Sequence, residues 1–437
     1  MTAANEDATD GAAMRPLDRA RAILGGSAGN LVEWYDWFAY AAFSLYFAKV
    51  FFPGGDETAQ LLKTAAVFAV GFLARPVGAW MLGVIADRVG RKAALSLSVG
   101  LMCLGSLIVA VTPGYRTIGW AAPAILTATR LLQGLSIGGE YGASATYLAE
   151  MAGRQRRGLW SSFQFVTLIG GQILALAVLI VLQALLTRTQ LEAWGWRIPF
   201  VIGALLAVVV FWIQIRLKET ASFRAMRPVS ERGSVTWRLI TGHARECGII
   251  FALSAGGSLA FYCFTTYMQT FLTNTAHFSA RVASTISLAS LVVYLLAQPV
   301  GGWLGDKLGR RTLLTAAFVV GALGTWPVMT AIAEARMPWI AFALACAALL
   351  VLTGYSSMSA VVKAELFPSE VRGLGVALPY ALANALFGGT AEYVALSFKH
   401  AGHESGFYVY VAVVLASSGV VAAMMRETRT ASLILED

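Results

Sequence analysis

The chain is poor in the residues that soluble catalysts rely on. Of its 437 residues only 13% are charged, and it holds just 4 His and 4 Cys. His243, His277, His400 and His403 fall in loops or at the ends of apolar runs, so no buried Ser-His-Asp set and no metal cluster is visible. Cys103, Cys247, Cys263 and Cys346 lie in or beside apolar runs without paired or ligand-like spacing, and they read as packing residues. No G-x-x-x-x-G-K-[ST] phosphate loop occurs, which argues against nucleotide hydrolysis as the driving force. Residues 1–20 are polar and lack the short apolar core of a secretory signal, so the first apolar run is expected to persist as a helix. Together these absences point away from an enzyme and from any metal or cofactor.

What is abundant is apolar sequence, at 57% hydrophobic residues. Twelve runs with almost no charge fall at roughly 22–48, 61–86, 93–112, 119–149, 158–187, 195–217, 247–273, 282–305, 312–333, 338–366, 373–398 and 406–425. An even number of spans puts both ends on one side. About two thirds of the 33 Lys and Arg sit in loops on that side, which makes both termini cytoplasmic. The formal charge of +9 therefore reads as topology rather than as nucleic-acid binding.

Two short motifs recur half a chain apart. Gly83-Val84-Ile85-Ala86-Asp87-Arg88-Val89-Gly90-Arg91-Lys92 returns as Gly302-Trp303-Leu304-Gly305-Asp306-Lys307-Leu308-Gly309-Arg310-Arg311. Glu150 to Arg157-Gly158 returns, with the same internal spacing, as Glu365 to Arg372-Gly373. Parallel repeats of this kind predict an all-α integral membrane protein, twelve transmembrane helices in two pseudo-symmetric six-helix bundles with a pathway between them. The expected division is a tail at 1–21, a bundle at 22–217, a connector at 218–245, a second bundle at 246–426 and a tail at 427–437.

Ionisable groups inside the runs need a reason, because each costs on the order of 3 kcal/mol at mid-depth. Glu33 and Asp36 share a broad face of the first helix, either as ion pairs with a neighbour or as proton carriers. Arg75, followed by Pro76, either neutralises one of them or docks a substrate carboxylate, and the proline frees nearby carbonyls. In the fourth run Gly134, Gly138 and Gly142 repeat every four residues in line with Arg130, a stripe that admits close approach. Arg130 and Asp36 come out at similar depth, so a direct pair is expected to be in reach. Glu140 and Glu392 are further intramembrane acids. Gln164, Thr167 and Gln172 share one face, as do Tyr262, Thr265, Thr266 and Gln269, and Tyr380, Asn384 and Glu392. Such stripes suit either a wet cavity between bundles or helix-to-helix hydrogen bonds. Lys363, near the charged end, is expected to snorkel.

The paired G-x-x-x-D-[RK]-x-G-[RK]-[RK] loops resemble the signature of the major facilitator superfamily. Asn30-Leu31-Val32-Glu33-Trp34-Tyr35-Asp36, Arg75-Pro76 and Gln133-Gly134-Leu135-Ser136-Ile137-Gly138-Gly139-Glu140-Tyr141 are similar to its metabolite:proton symporter family. Ser162 to Gln172, Trp194 to Phe200, Phe264 to Gln269 and Phe387 to Leu396 extend the likeness over nearly the whole chain. The resemblance implies proton symport of a dicarboxylate, α-ketoglutarate foremost, with another organic acid such as citrate, or plain uniport, as alternatives. It implies a monomer in a bacterial inner membrane, taking a small organic acid and protons. It assigns Asp87, Arg91, Glu150, Asp306, Arg310 and Glu365, with Arg372 beside them, to a cytoplasmic charge network that gates the pathway. On this reading Arg75 and Arg130 grip carboxylates, with Gln164, Gln172, Tyr262, Thr266, Tyr267 and Asn384 around them, while Glu33, Asp36, Glu140 and Glu392 carry protons. A dianion entering at −100 mV opposes about 2.3 kcal/mol per charge, so at least two proton sites are expected.

Overall fold

The computed structural model describes residues 16–88, 91–138, 145, 148–149, 154–216 and 242–434. Glu140, Glu150, Gly142 and the connector at 218–241 lie outside the described residues, as do the side chains of Asp87 and Arg91. Among the described residues the longer helices fall into twelve segments. They are α1 (Pro16–Phe51), α2 (Glu57–Leu73 and Arg75–Arg88), α3 (Arg91–Val111), α4 (Ala121–Ile137), α5 (Phe163–Leu185) and α6 (Ile198–Arg216). The second half gives α7 (Ala244–Phe264 and Thr266–Asn274), α8 (Ala280–Leu308), α9 (Arg310–Ala333), α10 (Pro338–Glu365), α11 (Ser369–Ala383 and Ala391–His400) and α12 (Glu404–Met424). Among the described residues nine segments are long and apolar enough to cross a membrane, and α3 adds a shorter apolar stretch, Ser96–Val111. Residues 16–21 of the expected tail are helical.

Helices form because lipid offers backbone groups no other partner. Where a helix breaks, the sequence supplies the cause. Pro76 has no N–H to give, and α2 is interrupted at Ala74, two residues before it. In α11, Pro379 precedes a widened π turn at Asn384–Gly388. The glycine stripe of α4 does what its spacing predicts. A Cβ on Gly134 would stand 1.9 Å from the Gly71 carbonyl oxygen, and one on Gly138 would stand 2.1 Å from that of Arg75, so α2 and α4 touch backbone to backbone.

The two halves meet along two matching seams. The repeat equates α2 with α8, each leading into a charged turn, and α5 with α11, each following a Glu-to-Arg-Gly pair. Across the interface α2 packs on α11 and α5 packs on α8, the same contact made twice. A shared aromatic core fills the centre: Phe38 of α1 and Phe72 of α2 approach Tyr262 of α7 at 6.3 and 5.2 Å between ring centroids.

Candidate functional site

Both acids of α1 are buried, Glu33 at 4% and Asp36 at 1% exposure. Their hydroxyl donors come from α3: Ser98 donates to Glu33 Oε1 at 3.2 Å, and Ser106 donates to Asp36. The anticipated direct Arg130–Asp36 pair is not formed. Gln133 stands between them, its Nε2 donating to Asp36 Oδ2 at 2.6 Å while its Oε1 accepts from Arg130 Nη1 at 2.5 Å. An amide has a donor end and an acceptor end, so it can link a cation to an anion that depth alone places together. Asp36 faces the interior of the first bundle: a Cβ on Gly203 of α6 would meet its Oδ1 at 2.5 Å.

Arg130 is fully enclosed. Its Nη2 donates to the Trp37 carbonyl at 3.2 Å, and its guanidinium lies 4.0 Å from the Tyr40 ring centroid. Arg75, 3% exposed, is caged by Phe72 at 3.9 Å and Trp37 at 4.2 Å. Trp37 thus presents its ring to both arginines, with Arg130 at 4.5 Å. Ring faces attract cations without neutralising them, which leaves the charge available to an anion. Arg75 Nε and Nη2 have no hydrogen-bond partner. On the first bundle Trp34 adds a ring at 5.2 Å and Glu33 lies within electrostatic reach, while on the second the Tyr262 hydroxyl lies against both the Arg75 guanidinium and the Asn384 amide. Asn384 Nδ2 reaches the Tyr380 hydroxyl at 3.5 Å, and Asn384 Oδ1 is unpartnered.

The other residues singled out by sequence divide into two groups. Gln172 Nε2 approaches Thr266 Oγ1 across the seam at 3.5 Å, and Gln164 is buried on the same face of α5. Tyr267 turns away from Arg75 and stacks with Phe271 and Phe407 inside the second bundle. Glu392, 7% exposed, accepts from Thr270 at 2.8 Å and lies within electrostatic reach of Tyr40, whose ring carries Arg130. Lys363 does not snorkel. It is 1% exposed, with its Nζ 4.0 Å above the Tyr380 ring centroid, because its helix is covered on that face by α11.

Contacts tie the two bundles together at both ends of the seam. At the charged end Asp306 accepts from the backbone N–H groups of Gly158 at 2.8 Å and Leu159 at 3.0 Å, tying α8 to the helical turn that leads into α5. Glu365 takes Arg157 at 3.4 Å through one oxygen and Arg310 through the other, and Arg310 also reaches Asp306 at 3.6 Å. Arg372 donates to the carbonyls of Phe367 and Leu433, each at 3.1 Å. Sequence spacing had marked Arg157 only as a repeat of Arg372; its role as the cross-bundle partner of Glu365 needed the fold. The segment after α12 closes over this cluster. Glu427 accepts from the N–H groups of Arg310 and Arg311, Ser432 accepts from Arg157, and Leu433 N donates to the Glu365 carbonyl. At the opposite end the ties are neutral, such as Gln183 to Ser284 at 3.1 Å and Gln269 to the Ala42 carbonyl at 3.1 Å.

Two related helical bundles with buried charge gathered at and beside their seam define a membrane transporter. The Sugar (and other) transporter family matches residues 22–233 and 222–436, and the chain belongs to it, within the major facilitator superfamily. It is 51% identical to the alpha-ketoglutarate permease of Escherichia coli (strain K12), over 93% of this chain and 94% of that protein. It is 35% identical to a citrate-proton symporter of Klebsiella pneumoniae, over 85% of this chain and 83% of that one. The fold matches the proton:xylose symporter XylE bound to 6-bromo-6-deoxy-D-glucose, with a TM-score of 0.75 at 18% identity, covering 94% of this chain and 97% of that chain. The partially occluded inward open form of XylE from E. coli gives 0.71 at 19% identity, over 90% and 95%. The chain is a transporter and not an enzyme.

Proposed function

We propose that this protein is a bacterial inner-membrane proton symporter that imports a dicarboxylate, α-ketoglutarate foremost, as a monomer working by alternating access with both termini cytoplasmic. The observation that carries this reading is the bare edge of Arg75. A buried guanidinium with two unpartnered nitrogens, held by aromatic faces at the contact between bundles, is matched to a carboxylate that comes and goes. Likeness to an alpha-ketoglutarate permease supports the choice of acid. Arg130, with Gln164, Gln172, Tyr262, Thr266 and Asn384, completes the site, and Tyr267 holds its wall. Asp36 and Glu392 are the paired proton sites a dianion demands, with Glu33 and Glu140 beside them. Asp306, Arg310, Glu365 and Arg372, with Asp87, Arg91 and Glu150, gate the charged end. Neither nucleic acid nor a cofactor takes part.

The test is uptake of labelled α-ketoglutarate into proteoliposomes with and without an inward proton gradient. Gradient-driven accumulation is expected; equilibration that ignores the gradient would make the protein a uniporter. The citrate-proton symporters among the relatives support a second reading, and competition by excess citrate separates the two.

A further inference from the structure

We infer that Trp37 is a substrate-binding residue, its indole N–H joining the bare edge of Arg75 and the bare Nε of Arg130 in a donor set that closes on one substrate carboxylate. The inference rests on the proposed function and deepens it, adding a neutral donor to the two cations. Three side chains from three helices converge here, each at least 97% buried. Trp37 of α1 stands with its ring 4.2 Å from the Arg75 guanidinium of α2 and 4.5 Å from the Arg130 guanidinium of α4. Gly71 makes the room. A Cβ there would meet the Trp37 ring at 2.8 Å and the Arg130 carbonyl oxygen at 3.0 Å, and Arg75 follows four residues later in α2.

What the three side chains share is unanswered donors. Arg75 Nε and Nη2, Arg130 Nε and Trp37 Nε1 find no hydrogen-bond partner among the described residues. Buried donors are seldom left bare, because each forfeits its water without replacement. Several gathered about one ring call for a shared acceptor. The Nε and Nη2 of Arg75 lie along one edge of the guanidinium, the fork that takes a carboxylate through both oxygens. A carboxylate has about four lone-pair sites, so the fork leaves room for Arg130 Nε and the indole N–H. Guanidinium and indole nitrogens donate only, so the set suits an ionised carboxylate and offers nothing to the proton of a carboxylic acid. Trp196 also has a buried, unpartnered Nε1, but Arg197, which lies over its ring, gives its Nη groups to the carbonyls of Ala193 and Thr112. A bare indole is therefore not enough by itself; at Trp37 it coincides with bare cations.

The experiment measures Kd for α-ketoglutarate in detergent by calorimetry, with ligand-free melting temperatures, for wild type, Trp37→Phe and Trp196→Phe. Phenylalanine keeps an aromatic face for the cations and removes the N–H, and Trp196→Phe makes the same truncation at the other bare indole. Loss of a bond to a charged ligand predicts a rise in Kd of at least about tenfold in Trp37→Phe. Trp196→Phe stays within about twofold of wild type. A second readout follows the indole itself: in wild-type protein carrying isotope-labelled tryptophan, the N–H resonance that is missing from Trp37→Phe moves downfield when α-ketoglutarate is added. If Trp37→Phe does not fold, Trp37→Tyr supplies that assignment; if its melting temperature falls along with its affinity, the resonance decides. A Kd for Trp37→Phe within about twofold of wild type, a rise matched by Trp196→Phe, or a Trp37 resonance that stays in place at saturating ligand overturns the inference. Wild-type protein that binds no α-ketoglutarate overturns the proposed function itself, and is read before any variant.

Discussion

At the scale of single residues, the informative feature is that Arg130 and Asp36 communicate through an amide. Gln133 gives its acceptor to the cation and its donor to the acid. Gln133→Leu would leave both charged groups short of a partner in a dry bundle. A lost bond to a charged group costs roughly 1.5–3 kcal/mol, so a lower melting temperature is expected, together with weakened uptake. An unchanged melting temperature would mean the relay carries no strain or energy. Arg130→Gln removes the charge that the relay serves; it is expected to abolish uptake while the protein still reaches the membrane, and normal substrate-dependent uptake by that variant would remove Arg130 from the site. Part of this was legible in sequence. Gln133 follows Arg130 by three positions on one helix, so their contact is written in the spacing. Ser98 and Ser106 were not legible, because nothing in a chain of apolar residues says which serine of α3 will stand opposite which acid of α1. Lys363 misled for a related reason: nearness to a helix end suggested a route to water, and only the packing of α11 closes that route.

At the scale of elements, periodicity carried furthest where it dictated backbone proximity. The stripe in α4 announced a close neighbour, and α2 fills that place. Gly134→Val should therefore be among the most damaging apolar changes in the first bundle. Overpacking costs typically 1–3 kcal/mol even in yielding cores, and here the obstacle is a carbonyl that belongs to a helix rather than a movable side chain. Greatly reduced yield of folded protein, read as the monodisperse fraction on size-exclusion chromatography, is the expected result; a wild-type profile would show that α2 can slide away. Pro76 likewise marked freed backbone carbonyls in the second run, and α2 is interrupted beside it. The break in α7 at Thr265 had no such signal, since neither proline nor glycine lies there, and the widened turn of α11 begins five residues after Pro379 rather than at it. These two irregular turns bring Tyr262, Thr266 and Asn384 to the seam, so local propensity was silent where the candidate site is shaped.

For the whole molecule, the chemistry of the two closures differs, and that difference sets which one yields first. The charged end is held by carboxylates: Asp306 caps two backbone N–H groups of the other bundle, and Glu365 binds arginines from both halves. The opposite end is held by neutral amide and hydroxyl contacts, each worth about 0.5–1.5 kcal/mol against roughly 1.5–3 for bonds to charge. Thermal opening should then favour the neutral end, and weakening the charged end should reverse the preference. Asp306→Asn keeps the shape and removes the charge. A loss of about 2 kcal/mol would raise the fraction open at the charged end about thirtyfold. Removing residues 427–437 should act in the same direction and more weakly, because it strips the Ser432 contact to Arg157 and the Glu427 cap from α9 while leaving Asp306 in place. A cysteine at Met358, which is fully buried against Gly158 and Gly305, reports the opening when a membrane-impermeant maleimide is added from the charged side. Labelling is expected to be slow in otherwise wild-type protein, faster in the truncation and fastest in Asp306→Asn, and to slow again when substrate stabilises the closed form. If Asp306→Asn labels no faster than its parent, the Asp306 carboxylate does not hold that end, and closure there rests on the Glu365 pairs with Arg157 and Arg310 and on the backbone contact of Gly158 with Gly302.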